Sequence, residues 1–157
     1  MNLAVIALGQ PLRGDDGAGA EALRLWMTRH PVEAQQLERQ LLFLETPGLG
    51  LLDELSGAGA ALLIDSISSG APAGTVRVWE ELPEEKVASA EKTAHGFGFL
   101  ETITLARKSG TPLPERICLI GIEAGSFALG VGLTPEVRAA LPRAVEEIDR
   151  MVRKLAF

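Results

Sequence analysis

Short, dense apolar runs alternate with helical patterns along this chain. Strands that are buried on both faces of a parallel sheet have this pattern. It predicts four such strands, at 3–8, 41–44, 60–64 and 117–122. The segment 75–79 alternates more between apolar and polar residues and follows a turn rich in glycine and proline, so we expect a strand that lies at an edge or pairs antiparallel.

Helices are predicted in the gaps, at Ala18–Arg29, Leu49–Gly57 and Phe97–Lys108, each bounded by glycine or proline. The strongest helical pattern is the last, where Thr134 suits the N-cap, Pro135 the first turn, and apolar residues recur at helical spacing. Pro142 removes one backbone hydrogen bond inside this helix, so we expect a kink there.

The order of these elements, βαβαβ(β)αβα, predicts the α/β class. We expect a single-domain three-layer α/β/α sandwich over residues 1–157, with right-handed crossovers and a mostly parallel twisted sheet of about five strands. A chain of 157 residues, 46% of them apolar, is long enough for one compact core. Cys118 lies alone in an apolar run and is expected to pack in that core.

Composition excludes some classes of function. The net charge of −6 argues against nucleic-acid binding, which needs a basic surface, and the lack of tyrosine argues against base stacking. The apolar run Leu3–Leu8 is too short to span a membrane and has no basic residues before it. We therefore expect a cytoplasmic protein without a membrane partner.

Acidic residues follow two of the predicted parallel strands. Asp15 and Asp16 stand where a doubly wound fold usually carries a phosphate-binding glycine turn, and carboxylates repel phosphate. Asp65 follows the strand at 60–64, and the carboxyl ends of parallel strands meet at one sheet edge. His95, in the loop before the third helix, can project over that edge. Two carboxylates and an imidazole suit a divalent cation and leave room for a substrate group or water.

Each of these residues also has a purely structural interpretation. Asp16 precedes Gly17 and a helical pattern, so it suits an N-cap, with Asp15 simply solvated. Asp65 suits a turn that bonds to its own backbone, and a single loop histidine such as His95 is more often a surface residue. Arg13 either binds a substrate carboxylate or is solvated. The residues alone leave these alternatives open.

Several motifs occur together in one order. They are Leu8–Gly19, Leu63–Ile67, Pro72–Val76, Thr93–His95, Gly121–Glu123 and Gly132–Val137. In this order the chain resembles the hydrogenase maturation endopeptidases, which remove a C-terminal extension from the large subunit of nickel–iron hydrogenases after nickel insertion. The resemblance extends over nearly the whole chain.

The resemblance implies a peptidase, of aspartic type or dependent on the substrate's metal, whose partner is a nickel–iron hydrogenase large-subunit precursor. The family's metal-contact and catalytic residues match Asp16, Asp65 and His95. It also implies that the nickel is carried by the substrate, so no permanently bound cofactor is expected. Two routes of cleavage are open. In one, the metal polarises the scissile carbonyl or activates a water. In the other, Asp16 acts as general base and His95 assists the proton transfer. A non-catalytic sensor or chaperone for nickel loading is the alternative.

Two departures from the family pattern affect the sheet edge. At the end of the first strand, the family usually has glycine, any residue, glycine and asparagine, whereas this chain has Ala7–Gln10. After the second strand, the family commonly has aspartate, two small residues and threonine, whereas this chain has Glu45–Gly48. The second departure puts the identity of the partner hydrogenase in doubt. A small-molecule hydrolase or nucleotide-binding protein is a further class, but the chain lacks a complete Gly-x-Gly-x-x-Gly turn, a serine elbow and a Walker lysine.

Overall fold

The chain forms one sheet with helices on both faces. The computed structural model describes residues 2–45, 49–82, 92–93, 99–130 and 132–157. Within these ranges the sheet has six strands, in the order β2-β1-β3-β6-β4, with β5 paired to β3 off this path. The strands are β1 (Leu3–Leu8), β2 (Leu41–Leu44), β3 (Ala60–Ser68), β4 (Val76–Trp79), β5 (Lys92–Thr93) and β6 (Arg116–Glu123).

The strand pairing confirms the α/β class and the predicted parallel core. β1 pairs in parallel with β2 and β3, and β3 pairs in parallel with β6. β4 is antiparallel to β6 at the edge, as its alternating pattern predicts. The two-residue strand β5, antiparallel to β3, has too little pattern to be predicted.

The third strand is longer than its apolar run. Asp65 and Ser66 continue the ladder with β6, opposite Gly121 and Ile122, so β3 runs to Ser68. The prediction that Asp65 follows the strand is therefore wrong, because backbone pairing with β6 continues past the last apolar residue. The polar end of β3 is thus fixed by the sheet.

The helices cover the two faces of the sheet. They are α1 (Ala18–Arg29), α2 (Pro31–Gln36), α3 (Leu49–Ser56), α4 (Phe99–Lys108) and α5 (Pro135–Ala156), with 3-10 turns at Gly14–Gly17 and Glu38–Gln40. The predicted bounds of α1 hold, whereas the predicted first residue of α4, Phe97, lies outside the described residues. The short helix α2 was not predicted, although proline at its first position is a recognised start signal. Pro142 lies inside α5, and its kink stays a prediction.

Two apolar clusters flank the sheet. On one face, Leu62 and Ile64 of β3 pack in the cluster that includes residues of α1 and α5. On the other face, Ala61 and Leu63 pack in the cluster that includes residues of α3 and α4. The alternation along β3 therefore assigns each following residue to a face: Asp65 to the α3/α4 side and Ser66 to the α1/α5 side.

Two further expectations concern the environment of Cys118 and the presence of membrane-spanning helices. Cys118 is fully buried in the α1/α5 cluster, as its apolar surroundings predict. In the part of the chain that the structure describes, no helix combines the length and apolar character needed to cross a bilayer.

Helix α1 lies unusually close to the sheet at Gly19. A Cβ at this position would lie 2.6 Å from the carbonyl oxygen of Ile64 and 3.2 Å from that of Leu8. Both contacts are with backbone, which cannot rotate away as a side chain can. Glycine here therefore sets how closely the start of α1, and the turn before it, approaches the ends of β1 and β3.

We predict that Gly19→Ala lowers the free energy of unfolding by roughly 1–3 kcal/mol, because the added methyl forces α1 away from the strands. This sign is opposite to the usual effect of replacing a helical glycine by alanine, which stabilises by up to about 1 kcal/mol. Denaturant unfolding followed by circular dichroism measures the change.

The matched control is Gly50→Ala in α3, where an added Cβ meets nothing within 4 Å. We expect this variant to be as stable as the unchanged protein or slightly more stable. Equal effects of the two substitutions would contradict the close-approach argument.

Candidate functional site

Buried acidic side chains are concentrated at one end of the sheet. The described acidic residues with less than about a tenth of their surface exposed are Asp15 (0%), Asp16 (1%), Asp65 (0%) and Glu123 (2%). Acidic groups are rarely buried unless hydrogen bonds or ions compensate them. Asp15 and Asp16 follow β1, Asp65 lies in β3 just beyond the last residue paired with β1, and Glu123 ends β6. Ligands collect at this edge in open parallel sheets.

Asp16 is held over the end of β3. The 3-10 turn Gly14–Gly17 brings it there, and its carboxylate accepts hydrogen bonds from the Gln10 N–H at 2.8 Å and the Ser66 hydroxyl at 3.4 Å. The N-cap position of α1 is Gly17, without a side-chain capping bond. The capping interpretation of Asp16 is therefore wrong, because the 3-10 turn leads directly into the helix.

Gly9 makes this placement possible. It has a φ of +125°, and a Cβ there would lie 2.0 Å from the carbonyl oxygen of Asp16. No other residue type fits such a contact, and L side chains rarely adopt this conformation. The glycine-rich run after β1 thus folds the chain back over the strand end and carries Asp16 to β3.

Asp65 lies inside β3, on the face covered by α3 and α4. One of its carboxylate oxygens accepts a hydrogen bond from the N–H of Ser66 at 2.8 Å. This local bond is made within the strand, so the expected turn at Asp65 is not formed. The third predicted site residue, His95, lies outside the described residues.

Asp15 is a structural clamp, contrary to the expectation that it is solvated. Its carboxylate accepts hydrogen bonds from the N–H groups of Gly125 (2.7 Å), Ser126 (3.0 Å) and Thr134 (2.7 Å) and from the Thr134 hydroxyl (2.8 Å). Thr134 does occupy the N-cap position of α5, but its hydroxyl donates to Asp15 instead of capping the helix. Asp15 therefore ties the first loop to the segment that leads into α5.

The same contacts determine the charge state of Asp15. Burial alone would raise the pKa of this carboxyl group, but the hydrogen bonds from Thr134, Gly125 and Ser126 outweigh burial and hold the pKa below its usual value. Asp15 is consequently ionised at neutral pH, next to the positive end of the α5 dipole.

Glu123 plays a similar part at the end of β6. Its carboxylate accepts hydrogen bonds from the backbone N–H and the hydroxyl of Ser69, both at 2.7 Å, and from the N–H of Gly70 at 3.1 Å. It fixes the turn after β3. Asp15 and Glu123 therefore hold loops together, whereas the carboxylates of Asp16 and Asp65 both contact one residue, Ser66.

The chemistry open to this edge follows from its oxygen ligands. Carboxylate oxygens suit hard and borderline divalent cations, or a general base near a scissile bond. Within the described ranges, no group of three or more histidine, cysteine, aspartate or glutamate side chains is arranged to hold a metal. On the described part of the edge, Asp16 and Asp65 are the two predicted site residues, and both contact Ser66.

Comparison with known proteins identifies the family. A sequence profile described as hydrogenase maturation protease matches residues 32–151, well over half of the chain. The chain belongs to the hydrogenase maturation protease family. The match includes Asp65 and His95 and begins after the loop that carries Asp16. Membership in this family makes the chain a peptidase with a role in hydrogenase maturation.

Individual relatives described as hydrogenase expression/formation proteins agree with this assignment. The hydrogenase expression/formation protein HupD of Rhizobium leguminosarum bv. viciae is 30% identical over 96% of this chain and 74% of that protein. HoxM of Cupriavidus necator, of the same description, is 28% identical over 97% of this chain and 74% of that protein.

Solved structures show the same fold. The hydrogenase maturating endopeptidase HybD of Escherichia coli superposes with a TM-score of 0.75 at 22% identity, covering 99% of this chain and 94% of that one. The nickel–iron hydrogenase maturation protease HybD of Thermococcus kodakarensis gives a TM-score of 0.69 at 27% identity, covering 96% and 99%.

We predict that Asp15→Asn lowers the free energy of unfolding by roughly 2–3 kcal/mol. The amide keeps one acceptor oxygen, but its NH₂ group faces an N–H donor in place of the second oxygen. Urea unfolding at pH 7 measures the change. Asp53→Asn, at an exposed position in α3, is the matched control and should change stability by less than about 0.5 kcal/mol.

We further predict that the stability difference between the unchanged protein and Asp15→Asn depends on pH. Because the pKa of Asp15 is lower in the folded state, its contribution is complete above the unfolded-state pKa and is lost as pH falls through the folded-state value. The difference should therefore shrink below about pH 4. A difference that stays constant from pH 7 to pH 3 would contradict an ionised Asp15 clamp.

Proposed function

We propose that this hydrogenase maturation protease removes the C-terminal extension of a nickel–iron hydrogenase large-subunit precursor after nickel insertion, in the cytoplasm. Family membership supports the peptidase activity, and the Thermococcus relative is described by its name as acting in nickel–iron hydrogenase maturation. Asp16, Asp65 and His95 are the proposed metal-contact and catalytic residues. The proposal makes the precursor, with its nickel, the substrate.

The observation that carries this proposal is that two buried carboxylates, those of Asp16 and Asp65, contact the same residue, Ser66. Asp15 and Glu123 each receive several hydrogen bonds from loop backbone, which accounts for their burial by a structural role. Asp16 and Asp65 come from different segments and meet at Ser66 at the end of the sheet. Two buried carboxylates that contact one residue supply oxygen ligands of the kind that divalent cations bind.

The chemistry of the proposed reaction begins with recognition. Oxygen ligands from Asp16 and Asp65, with the imidazole of His95, complete the coordination of the nickel that the precursor presents, so only loaded precursor docks productively. Cleavage then follows one of two routes. The cation polarises the scissile carbonyl or activates a water, or Asp16 takes the proton of the attacking water while His95 assists the transfer.

The test is the intact mass of a purified large-subunit precursor after incubation with this protease, for nickel-loaded and nickel-free precursor in parallel. We expect a C-terminal peptide to be lost from the loaded form only. Asp16→Ala, Asp65→Ala and His95→Ala should each slow this cleavage by at least about 100-fold while the far-ultraviolet circular dichroism spectrum is kept.

Matched controls exist for both residue types. His30, near the opposite end of α1, contacts Asp149, and Asp53 is exposed on α3, so His30→Ala and Asp53→Ala should cleave at the unchanged rate. Binding of loaded precursor without any cleavage would favour a nickel-loading sensor or chaperone instead. Equal cleavage of loaded and nickel-free precursor would overturn the role of nickel.

A further inference from the structure

Ser66 contacts both of the carboxylates that the proposed function uses. It is fully buried, and its hydroxyl donates to Oδ1 of Asp16 at 3.4 Å. Its backbone N–H donates to Oδ1 of Asp65 at 2.8 Å. The two aspartates lie 49 positions apart in sequence, between residues 16 and 65, and one serine bridges them.

The geometry of β3 explains how one residue reaches both. Successive side chains of a strand point to opposite faces, so Asp65 lies on the α3/α4 side and the Ser66 hydroxyl on the α1/α5 side. The close approach of α1 at Gly19 brings the preceding 3-10 turn, with Asp16, onto that second side. Ser66 is therefore the point where the two carboxylates are joined.

The contacts fix the orientation of the Asp16 carboxylate. Oδ2 accepts from the N–H of Gln10 at 2.8 Å and Oδ1 from the Ser66 hydroxyl at 3.4 Å, so each oxygen has a donor from a different segment of the chain. Each carboxylate oxygen can accept more than one bond, and a cation is thus able to share these oxygens with their donors. The Gln10 contact comes from backbone, whereas the Ser66 contact depends on a side chain that substitution removes.

We propose that Ser66 is a positioning residue whose hydroxyl orients Asp16 toward the cation that the precursor presents, while its backbone N–H holds Asp65. This inference rests on the proposed function. In this role the Ser66 hydroxyl acts through the carboxylate of Asp16 and not by contact with the substrate. Hydrogen-bond partners of metal ligands raise metal affinity by holding the ligands in one orientation, and their loss typically costs about 10–100-fold in affinity or activity.

The experiment compares Ser66→Ala with Ser66→Thr, which keeps the hydroxyl. One readout is the Kd for Ni²⁺ alone, from calorimetric titration of the isolated protein. The other is the rate of cleavage of nickel-loaded precursor. We expect Ser66→Ala to weaken Ni²⁺ binding and slow cleavage by about tenfold or more, and Ser66→Thr to restore both to within about threefold.

Ser69→Ala is the matched control. The Ser69 hydroxyl donates to the carboxylate of Glu123 at 2.7 Å, at the same sheet edge. The substitution therefore removes a comparable hydroxyl that contacts neither Asp16 nor Asp65. We expect it to keep the unchanged Kd and cleavage rate. An equal loss in Ser69→Ala and Ser66→Ala would overturn the inference, because a general weakening of the edge would then explain both.

The failures of the two proposals are distinguishable. If Asp16→Ala abolishes cleavage while Ser66→Ala cleaves and binds Ni²⁺ like the unchanged protein, the positioning role fails and the proposed function stands. If Asp16→Ala and Asp65→Ala both cleave normally, the proposed site fails.

Should Ser66→Thr not fold, the contrast between Ser66→Ala and Ser69→Ala still decides. Should the isolated protein not bind Ni²⁺ measurably, the cleavage rates decide.

Discussion

The buried carboxylate of Asp15 is the interaction on which the functional edge depends. It receives bonds from Gly125, Ser126 and Thr134, so it joins the loop after β1 to the segment after β6 and to the start of α5. A neutral side chain cannot accept as many charge-assisted bonds in this space. Because Asp16 is the next residue, the clamp also fixes the backbone from which the proposed metal contact projects.

Burying several negative charges at one end of a sheet has an electrostatic cost. Like charges repel more strongly away from water, and each buried carboxylate loses its hydration. Backbone N–H groups and serine or threonine hydroxyls offset this cost at Asp15 and Glu123. At Asp16 the N–H of Gln10 and the Ser66 hydroxyl do the same. Under the proposed function, a nickel-loaded precursor would add a positive charge beside Asp16 and Asp65 that an unloaded one lacks.

The sequence was sufficient to predict the features of the fold that depend on local residue patterns. Dense apolar runs located the parallel strands, and glycine and proline located the limits of α1. The length of β3 and the clamp formed by Asp15 were missed, because they depend on partners far along the chain: Asp15 and Thr134 are 119 residues apart. Neither the spacing of Asp15 nor its residue type distinguishes a clamp from a solvated loop residue. Ser66 was missed for the same reason.

The glycines of the first loop show how one fold position serves different chemistry. In dinucleotide-binding proteins, glycines after β1 let backbone approach a pyrophosphate. Here Gly19 serves close packing of the helix on a strand, as one glycine of those folds also does, and meets the carbonyl of Ile64. Gly9 instead lets the loop approach itself, at the carbonyl of Asp16. The turn so formed places the buried Asp16 carboxylate against Ser66 of β3. The same backbone requirement for glycine therefore supports a buried acidic group after β1, at the position where a dinucleotide-binding fold carries an anion site.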